Sequence, residues 1–450
     1  MIKTFHLVSL GCPKNLVDSE VVYGLLEKAG WHGVDHPETA RVLLINTCGF
    51  IQPAVEESIE EILELAQLKS EDPDKRLVVI GCLVQRYREK LQSELAEVDL
   101  FVGTEGVPDV PALLDALIDS RLDERLAVPA PFLMNASLPR RLSTPFFRAW
   151  LKITEGCDNR CSYCMIPTIR GRLRSRSEED LIAEAVALQA AGVRELSLVA
   201  QDLTAFGRDH YGESRLENLV KKLLDETAID WIRLMYLYPS TLSPGLLDLV
   251  AGNPRIVPYL DIPLQHVSTR ILQAMNRRYG REDILDMLAE VRRRIPGVAL
   301  RTTLLLGFPG ETEDDVDLVE GFLGDAELDH VGIFAYENEE GSPAEHLDGQ
   351  VDDAEKEERV QRIAAVQSGI SERKLRRFVG HIEPVLIEGI SRETDLLLEG
   401  RTRYQAPDID GCVLINEGET RPGEIVEVEI TEAQTYDLVG RIIKPLDNLS

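Results

Sequence analysis

The sequence is short of positive charge, of histidine and of long apolar runs. It holds 49 Lys and Arg against 78 Asp and Glu, a net charge of −29. Nucleic-acid binders usually carry a basic face, so this balance argues against RNA or DNA as the main partner and for a basic one, beyond any aid to solubility. No stretch reads as a signal peptide or as a run long enough to cross a bilayer, so the chain is expected in the reducing cytoplasm, with no membrane partner. Seven cysteines in that setting point to metal or redox chemistry rather than disulfides. Of 8 histidines none lies near residues 157–164, which argues against a zinc knuckle there. What is present is ordinary globular material. Hydrophobic residues make up 44% of the chain, enough for full cores, and 450 residues suggest about two to four domains.

The densest chemistry is Cys157-Asp-Asn-Arg-Cys161-Ser-Tyr-Cys164. Thiolates are the ligands of iron–sulfur clusters, and a four-iron cluster takes four of them. Three are local here, which leaves one iron open to a substrate or cofactor. The ferredoxin run C-x2-C-x2-C-x3-C-P is not matched, because Met165 follows Cys164. The C-x3-C-x2-C spacing, with aromatic Tyr163 before the last cysteine, resembles the signature of the radical S-adenosylmethionine (SAM) superfamily.

Residues 1–120 read as a first domain. Apolar strands at Thr4–Leu10, Val42–Ile45, Leu77–Ile80 and Val98–Val102 alternate with helical segments such as Ala54–Lys69, the pattern of an open parallel α/β sheet. Cys12, Cys48 and Cys82 each fall just beyond a strand's C-terminal end, where open parallel sheets form their ligand crevice. Three residues remote in sequence should therefore converge, and a second three-cysteine cluster fits. Gly11, Gly49 and Gly81 are expected to allow a bulky ligand close to the backbone. Residues 121–148, rich in Pro and Arg, read as a linker.

Residues 143–375 read as a second domain of six βα units. Its strands are expected at Ala149–Ile153, Glu195–Ala200, Trp231–Tyr236, Tyr259–Pro263, Leu300–Leu306 and Val331–Tyr336, curled into an incomplete barrel like the (βα)6 radical SAM core. Polar residues at strand ends are candidates for holding SAM: Gln201 and Gln265 for hydroxyl groups, His266 beside them, and Arg301, a charge in an apolar run, for the carboxylate. Arg170, Arg172, Arg174 and Arg176 form a local basic patch. It is expected to neutralise charge near the clusters, to meet an acidic partner, or to be a solvated face.

Residues 378–447 read as a small β-barrel with strands at Glu383–Ile387, Thr394–Leu398, Gly411–Ile415, Glu424–Thr431 and Asp437–Ile443. In place and size it resembles the TRAM domain, generally taken as RNA-binding. Residues 381–450 nevertheless hold 15 Asp and Glu against 6 Lys and Arg, a surface that repels phosphate. Cys412 is expected to be an ordinary buried thiol.

The order of parts resembles the methylthiotransferase family over essentially the whole chain. Gly11-Cys12-Pro13-Lys14-Asn15-Leu16-Val17-Asp18-Ser19-Glu20 and Asn46-Thr47-Cys48-Gly49-Phe50-Ile51 resemble its RimO branch, which modifies a ribosomal protein. The tRNA-modifying MiaB branch usually shows Gly-Cys-Gln-Met-Asn at the first position. The resemblance implies two 4Fe-4S clusters, one on Cys157, Cys161 and Cys164 that chelates and cleaves SAM, the other on Cys12, Cys48 and Cys82 that carries sulfur. With Tyr163 of the motif, Gln201, Gln265 and Arg301 are the expected SAM contacts. The resemblance also implies a 5′-deoxyadenosyl radical, methylation of the sulfur by a second SAM, and methylthiolation of the β-carbon of an aspartate in small-subunit ribosomal protein S-twelve, free or in the ribosome. A flavodoxin or ferredoxin would supply electrons. A tRNA methylthiotransferase and a non-catalytic iron–sulfur electron carrier are the alternatives.

Overall fold

A computed structural model describes residues 3–443. The first sheet is wholly parallel. Its strands are β1 (Thr4–Ser9), β2 (His32–Gly33), β3 (Val42–Thr47), β4 (Arg76–Gly81), β5 (Leu100–Val102) and β6 (Leu126–Ala127), in the order β2-β1-β3-β4-β5-β6. The four expected strands are the inner ones. The two edges are two-residue strands too short to leave a hydrophobic period. β6 lies in the segment read as linker: Phe101 N–H donates to the Arg125 carbonyl and Gly103 N–H to that of Ala127, which extends the sheet by one edge. Continuous apolar runs such as Val42–Ile45 are buried on both faces, as a helix-covered parallel sheet requires.

The central sheet is also parallel, with β7 (Arg148–Lys152), β10 (Glu195–Val199), β11 (Trp231–Leu234), β12 (Ile256–Asp261), β13 (Ala299–Leu306) and β14 (His330–Ala335) in the order β14-β13-β12-β11-β10-β7. It stays open between β14 and β7, so the incomplete barrel is borne out, with strand bounds shifted by up to three residues. Between β7 and β10 a short antiparallel ribbon, β8 (Thr154–Glu155) and β9 (Arg174–Ser175), brackets the three-cysteine loop.

The C-terminal strands β15 (Ile382–Ile390), β16 (Leu398–Thr402), β17 (Val413–Glu417), β18 (Ile425–Ala433) and β19 (Leu438–Ile442) close in the order β15-β16-β17-β19-β18. The second strand lies four residues later than expected. Thr394 Oγ1 accepts from Leu396 N–H at 3.3 Å, a local turn that competes with the ladder, and Leu396 is left exposed. Residues 444–447 of the expected domain lie outside the described residues. No helix among the described residues is long and apolar enough to cross a membrane.

One apolar core belongs to all three parts. Val17, Val21 and Val22 of the helix Pro13–Lys28 pack with Trp150, Trp231, Met235 and Tyr259 of the central sheet, and with Leu386 and Ala406 of the β-barrel. The barrel is fastened to the N-terminal end of the central strands. Glu195, at the start of β10, accepts from Arg233 Nε at 2.8 Å and from Arg401 Nη2 at 2.5 Å, and Arg401 also pairs with Glu388 at 2.6 Å. Burial pushes the Glu195 carboxyl up, but Arg401 and Arg233 more than reverse this and hold it at about 2.

That pair gives a pH test. Because the folded carboxyl titrates below its ordinary 4.5, its stabilisation is complete above pH 4.5 and disappears as pH falls toward 2. Glu195→Gln should remove on the order of 3 kcal/mol at neutral pH and flatten the acid limb of a melting-temperature profile. An unchanged acid limb would show that the pair does not hold the barrel.

Candidate functional site

The first cysteine set is built by three strand-to-helix turns. Cys12 precedes the helix Pro13–Lys28, Cys48 directly follows β3, and Cys82 opens the helix Cys82–Glu94 directly after β4. The glycines beside them are needed for the approach of one protein loop to another. A Cβ on Gly11 would lie 2.9 Å from Cys48 Cβ, one on Gly49 would lie 2.8 Å from Leu83 backbone, and one on Gly81 would strike Asn46 and Thr47. The missing side chains let the three loops approach one another and leave the thiols together at the sheet edge. Gly11 and Gly81 also have φ of +87° and +103°, which favours glycine.

The second set lies on the loop after β7 and β8. Ser162 ties it to the helix Thr269–Ala274: its Oγ donates to the Ala274 carbonyl at 2.8 Å, and its N–H to that of Met275 at 3.1 Å. Each thiol receives a donor. Asn159 N–H points to Cys157 Sγ, Ile166 N–H to Cys164 Sγ, and Arg277 Nη1 to Cys161 Sγ, all at 3.4 Å. Burial pushes the Cys157 and Cys164 thiols up to about 12. Such N–H···S donors favour thiolate ligands, and hydrogen bonds to sulfur tune a bound cluster.

The structure brings the two sets together. Met165 and Ile169, just after Cys164, pack against Cys82. Arg170, fully buried, donates from Nη2 to Cys82 Sγ at 3.2 Å and to Asn15 Oδ1 at 3.2 Å, and from Nη1 to Asp18 at 2.9 Å and Glu155 at 3.0 Å. At Cys12 burial raises the thiol pKa, but the charges of Lys14 and Arg170 outweigh it and the value ends below the ordinary one. At Cys82 burial wins, and the thiol is pushed up to about 12 despite Arg170. All seven cysteines are free thiols. Among the described residues no group of three or more His, Cys, Asp or Glu is gathered tightly enough for one metal ion. Two three-thiol sets, each with its own donors, suit clusters, which hold their ligands farther apart than a single ion does.

The basic patch has an internal destination. Arg174 pairs with Glu105 of the first sheet at 2.6 Å, and Arg176 with Asp180 at 2.7 Å and Glu184 at 2.6 Å. Arg140, from the expected linker, joins Glu184 to Glu20, both at 2.6 Å. Arg172 alone is solvated, beside Asp158 at 3.1 Å. Apart from Arg172, the segment turns inward: Arg170 and Arg174 lock the cysteine loop to the first domain, and Arg176 neutralises carboxylates of the following helix.

The expected SAM contacts have varied surroundings. Gln201 and Gln265 stand at the C-terminal ends of β10 and β12, partly exposed, with no side-chain hydrogen bond among the described residues. Gln265 has φ of +72°, a strained value for a residue with a Cβ, of the kind that gathers at functional sites. Tyr163 packs beside Phe308, Tyr336 and Met275. His266 is fully buried and held by Glu311 at 3.2 Å, while its Nδ1 accepts from Ser268 N–H at 2.9 Å, a structural network rather than a ligand contact. Arg301 is already paired with Asp261 at 3.0 Å and with Asp410 of the β-barrel at 3.5 Å. Sequence reading named Arg170 in a patch expected to neutralise charge near the clusters, which its contact with Cys82 agrees with, but passed over Asp261, Asp410, Lys14 and Tyr236. Their significance comes from partners on other domains, and only the arginine spacing around Arg170 left a signal.

A buried parallel sheet open at one side, with a three-cysteine loop after its first strand, defines a radical SAM enzyme that carries a second cysteine-bearing domain. Residues 151–322 match the radical SAM superfamily, residues 379–443 the TRAM domain, and residues 4–103 uncharacterized protein family UPF0004. Among solved structures, the radical SAM methyltransferase TsrM of Kitasatospora setae shares the fold, with a TM-score of 0.54 and 17% identity over 74% of this chain and 72% of its own. The RimO ribosomal protein uS12 methylthiotransferase of Desulfotalea psychrophila is 57% identical over 98% of this chain and 99% of its own. That of Anaeromyxobacter sp. strain K is 50% identical over 98% and 94%. The chain belongs to the RimO family of methylthiotransferases, whose cofactors are SAM and 4Fe-4S clusters. The reading as a non-catalytic electron carrier falls with that membership.

The ion pair at Arg301 changes what its removal should do. Arg301→Ala leaves Asp261, fully buried, without its cation. It should cost about 3 kcal/mol of stability, and Asp261→Asn in the same chain should restore part of it, read as a shift in the unfolding midpoint. If the double variant is no more stable than Arg301→Ala, the pair is not what the arginine supports.

Proposed function

We propose that this enzyme replaces a hydrogen on the β-carbon of an aspartate in ribosomal protein uS12 with a methylthio group. One observation supports it above the rest: two three-cysteine sets from different domains meet at one place, joined by the Cys82–Met165 contact and by Arg170. Cys157, Cys161 and Cys164 would hold one cluster, and Cys12, Cys48 and Cys82 the other. When bound, the first with SAM supplies a hydrogen-abstracting radical and the second supplies sulfur. Arg277 and the Asn159 and Ile166 amides offset thiolate charge at the first set, and Arg170 does so at the second. Tyr163, Gln201 and Gln265 would bind SAM. Arg301, with two carboxylates on its guanidinium, keeps only part of its donor capacity for the SAM carboxylate.

Charge supports a basic substrate. Glu417, Glu419, Glu424, Glu427 and Glu432 of the β-barrel are exposed, while Glu388, Asp408 and Asp410 are spent on Arg148, Arg401, Arg301 and Tyr259. What faces solvent repels a phosphate backbone and attracts a basic protein, which disfavours a tRNA substrate. A flavodoxin or ferredoxin is the proposed electron donor, and the cytoplasm the proposed compartment.

Anaerobic reconstitution should load about eight irons per chain, and changing Cys157, Cys161 and Cys164 to Ala should leave about four. With SAM and dithionite the parent should form 5′-deoxyadenosine and add one methylthio group to purified uS12 by mass spectrometry. Iron content unchanged by the triple variant, or modification of tRNA in place of uS12, would sink the reading. Glu424→Gln with Glu427→Gln should slow modification mainly by raising KM, and added salt should do the same to the parent.

A further inference from the structure

Four lysines are buried among the described residues. Three have their charge answered. Lys75 donates to the carbonyls of Pro37, Glu38 and Ala40 at 3.3, 2.7 and 2.6 Å. Lys152 pairs with Asp18 and with Glu155, and Lys356 pairs with Asp353 at 2.8 Å. Lys14 is the exception. Its Nζ makes one long hydrogen bond, to the Ala200 carbonyl at 3.4 Å, and sits 3.9 Å from the centre of the Tyr236 ring. Among the described residues no carboxylate oxygen lies within 4 Å of it. An ammonium can donate three hydrogen bonds, and although the charge of Lys14 acts on the nearby Cys12 thiol, only one of its N–H groups has an acceptor among the described residues.

Its position says what should answer it. Lys14 stands two residues after Cys12 but reaches across to the C-terminal ends of β10 and β11, where Ala200 and Tyr236 lie beside Gln201. It therefore spans from the first cysteine set to the mouth of the central sheet. The nearby carboxylate, Asp261, is not free to serve it: Asp261 accepts from Arg301 at 3.0 Å and from Tyr236 N–H at 3.1 Å. Tyr236 holds φ of +60°, so the backbone at this spot is strained to present its ring beneath the lysine. The arrangement is a preformed cation with an apolar floor and open donors, a receptor for one carboxylate.

Resting on the reading above, we propose that Lys14 receives the side-chain carboxylate of the aspartate to be modified and so selects an acid over its amide. In aspartate the β-carbon is bonded directly to the carboxylate carbon. An ammonium that grips the carboxylate therefore fixes the reacting carbon within one bond of the anchor. The anchor belongs to the loop of Cys12, the side from which sulfur arrives. A neutral asparagine offers only an amide oxygen, and a charge-assisted hydrogen bond is about twice as strong as a neutral one. Lys14 is thus a specificity-determining residue that touches the substrate and performs no proton transfer.

Binding decides it without turnover. The parent enzyme and Lys14→Met, both loaded with clusters and SAM, are titrated calorimetrically with purified uS12 and with uS12 variants in which each aspartate is changed singly to Asn. Parent affinity should fall about ten- to hundredfold for one of these variants. Lys14→Met should bind wild-type uS12 as weakly as the parent binds that variant, with no further loss on combining the two changes. Iron content and SAM affinity should match the parent, and Lys14→Arg should recover part of the preference. Should Lys14→Met not fold, Lys14→Gln takes its place. A loss of four irons or of SAM affinity in the variant would overturn the assignment, since the lysine would then serve a cofactor. Equal binding of all uS12 forms by the parent would overturn it too. Failure of the parent to bind uS12 at all overturns the ribosomal-protein reading as well.

Discussion

The molecule turns on one buried guanidinium. Arg170 comes from the second cysteine loop and ends among Cys82, Asn15 and Asp18 of the first domain, with Glu155 closing its own side. A charge so deep is tolerated only because each donor finds a partner. The same contacts fix the distance between two sites that no backbone segment connects directly. Lys152 adds a second cation on the same carboxylates, Asp18 and Glu155, so the junction is a small lattice of alternating charge. Two reactive centres that must serve one carbon need a rigid mutual placement, and this lattice supplies it where loops alone would not.

The same logic extends outward. Arg140 ties Glu20 to Glu184, which Arg176 also holds, and Arg174 ties Glu105 to the ribbon behind the cysteines. Much of the arginine in an acidic chain is thus consumed between domains. Each such pair buries negative charge along with positive, so the acidic excess of the chain stays on the surface, and that shapes which partners approach.

Much of this was legible beforehand. The three buried strand runs ending at Cys12, Cys48 and Cys82 carry both a period and a position, so topology followed from them. The C-x3-C-x2-C loop announced its own chemistry. Pairings across domains were not legible: Arg301 reads as a lone charge in a strand until Asp410, more than a hundred residues later, is folded against it. The second barrel strand was misplaced because Thr394 satisfies backbone locally where an apolar pattern suggested a ladder. Gly11 and Gly49 were read as sites of close approach, but that neighbouring loops come close there was not legible, because sequence does not say which loop arrives.

The packing of residues 403–410 against the central sheet bears on how the enzyme divides into pieces. Tyr259 donates to Asp410 at 2.7 Å, the Tyr404 carbonyl meets His330 at 2.9 Å, and Arg403 offers its carbonyl to Arg233 at 3.2 Å. Cutting the chain before β15 would uncover these buried polar groups together with Glu195 and the apolar faces of Trp231 and Tyr259. The C-terminal barrel is therefore a structural floor of the catalytic domain as well as an acidic outer surface. A chimera that exchanges it between relatives must carry the floor residues along with the outer surface, or it will report on stability where recognition was intended.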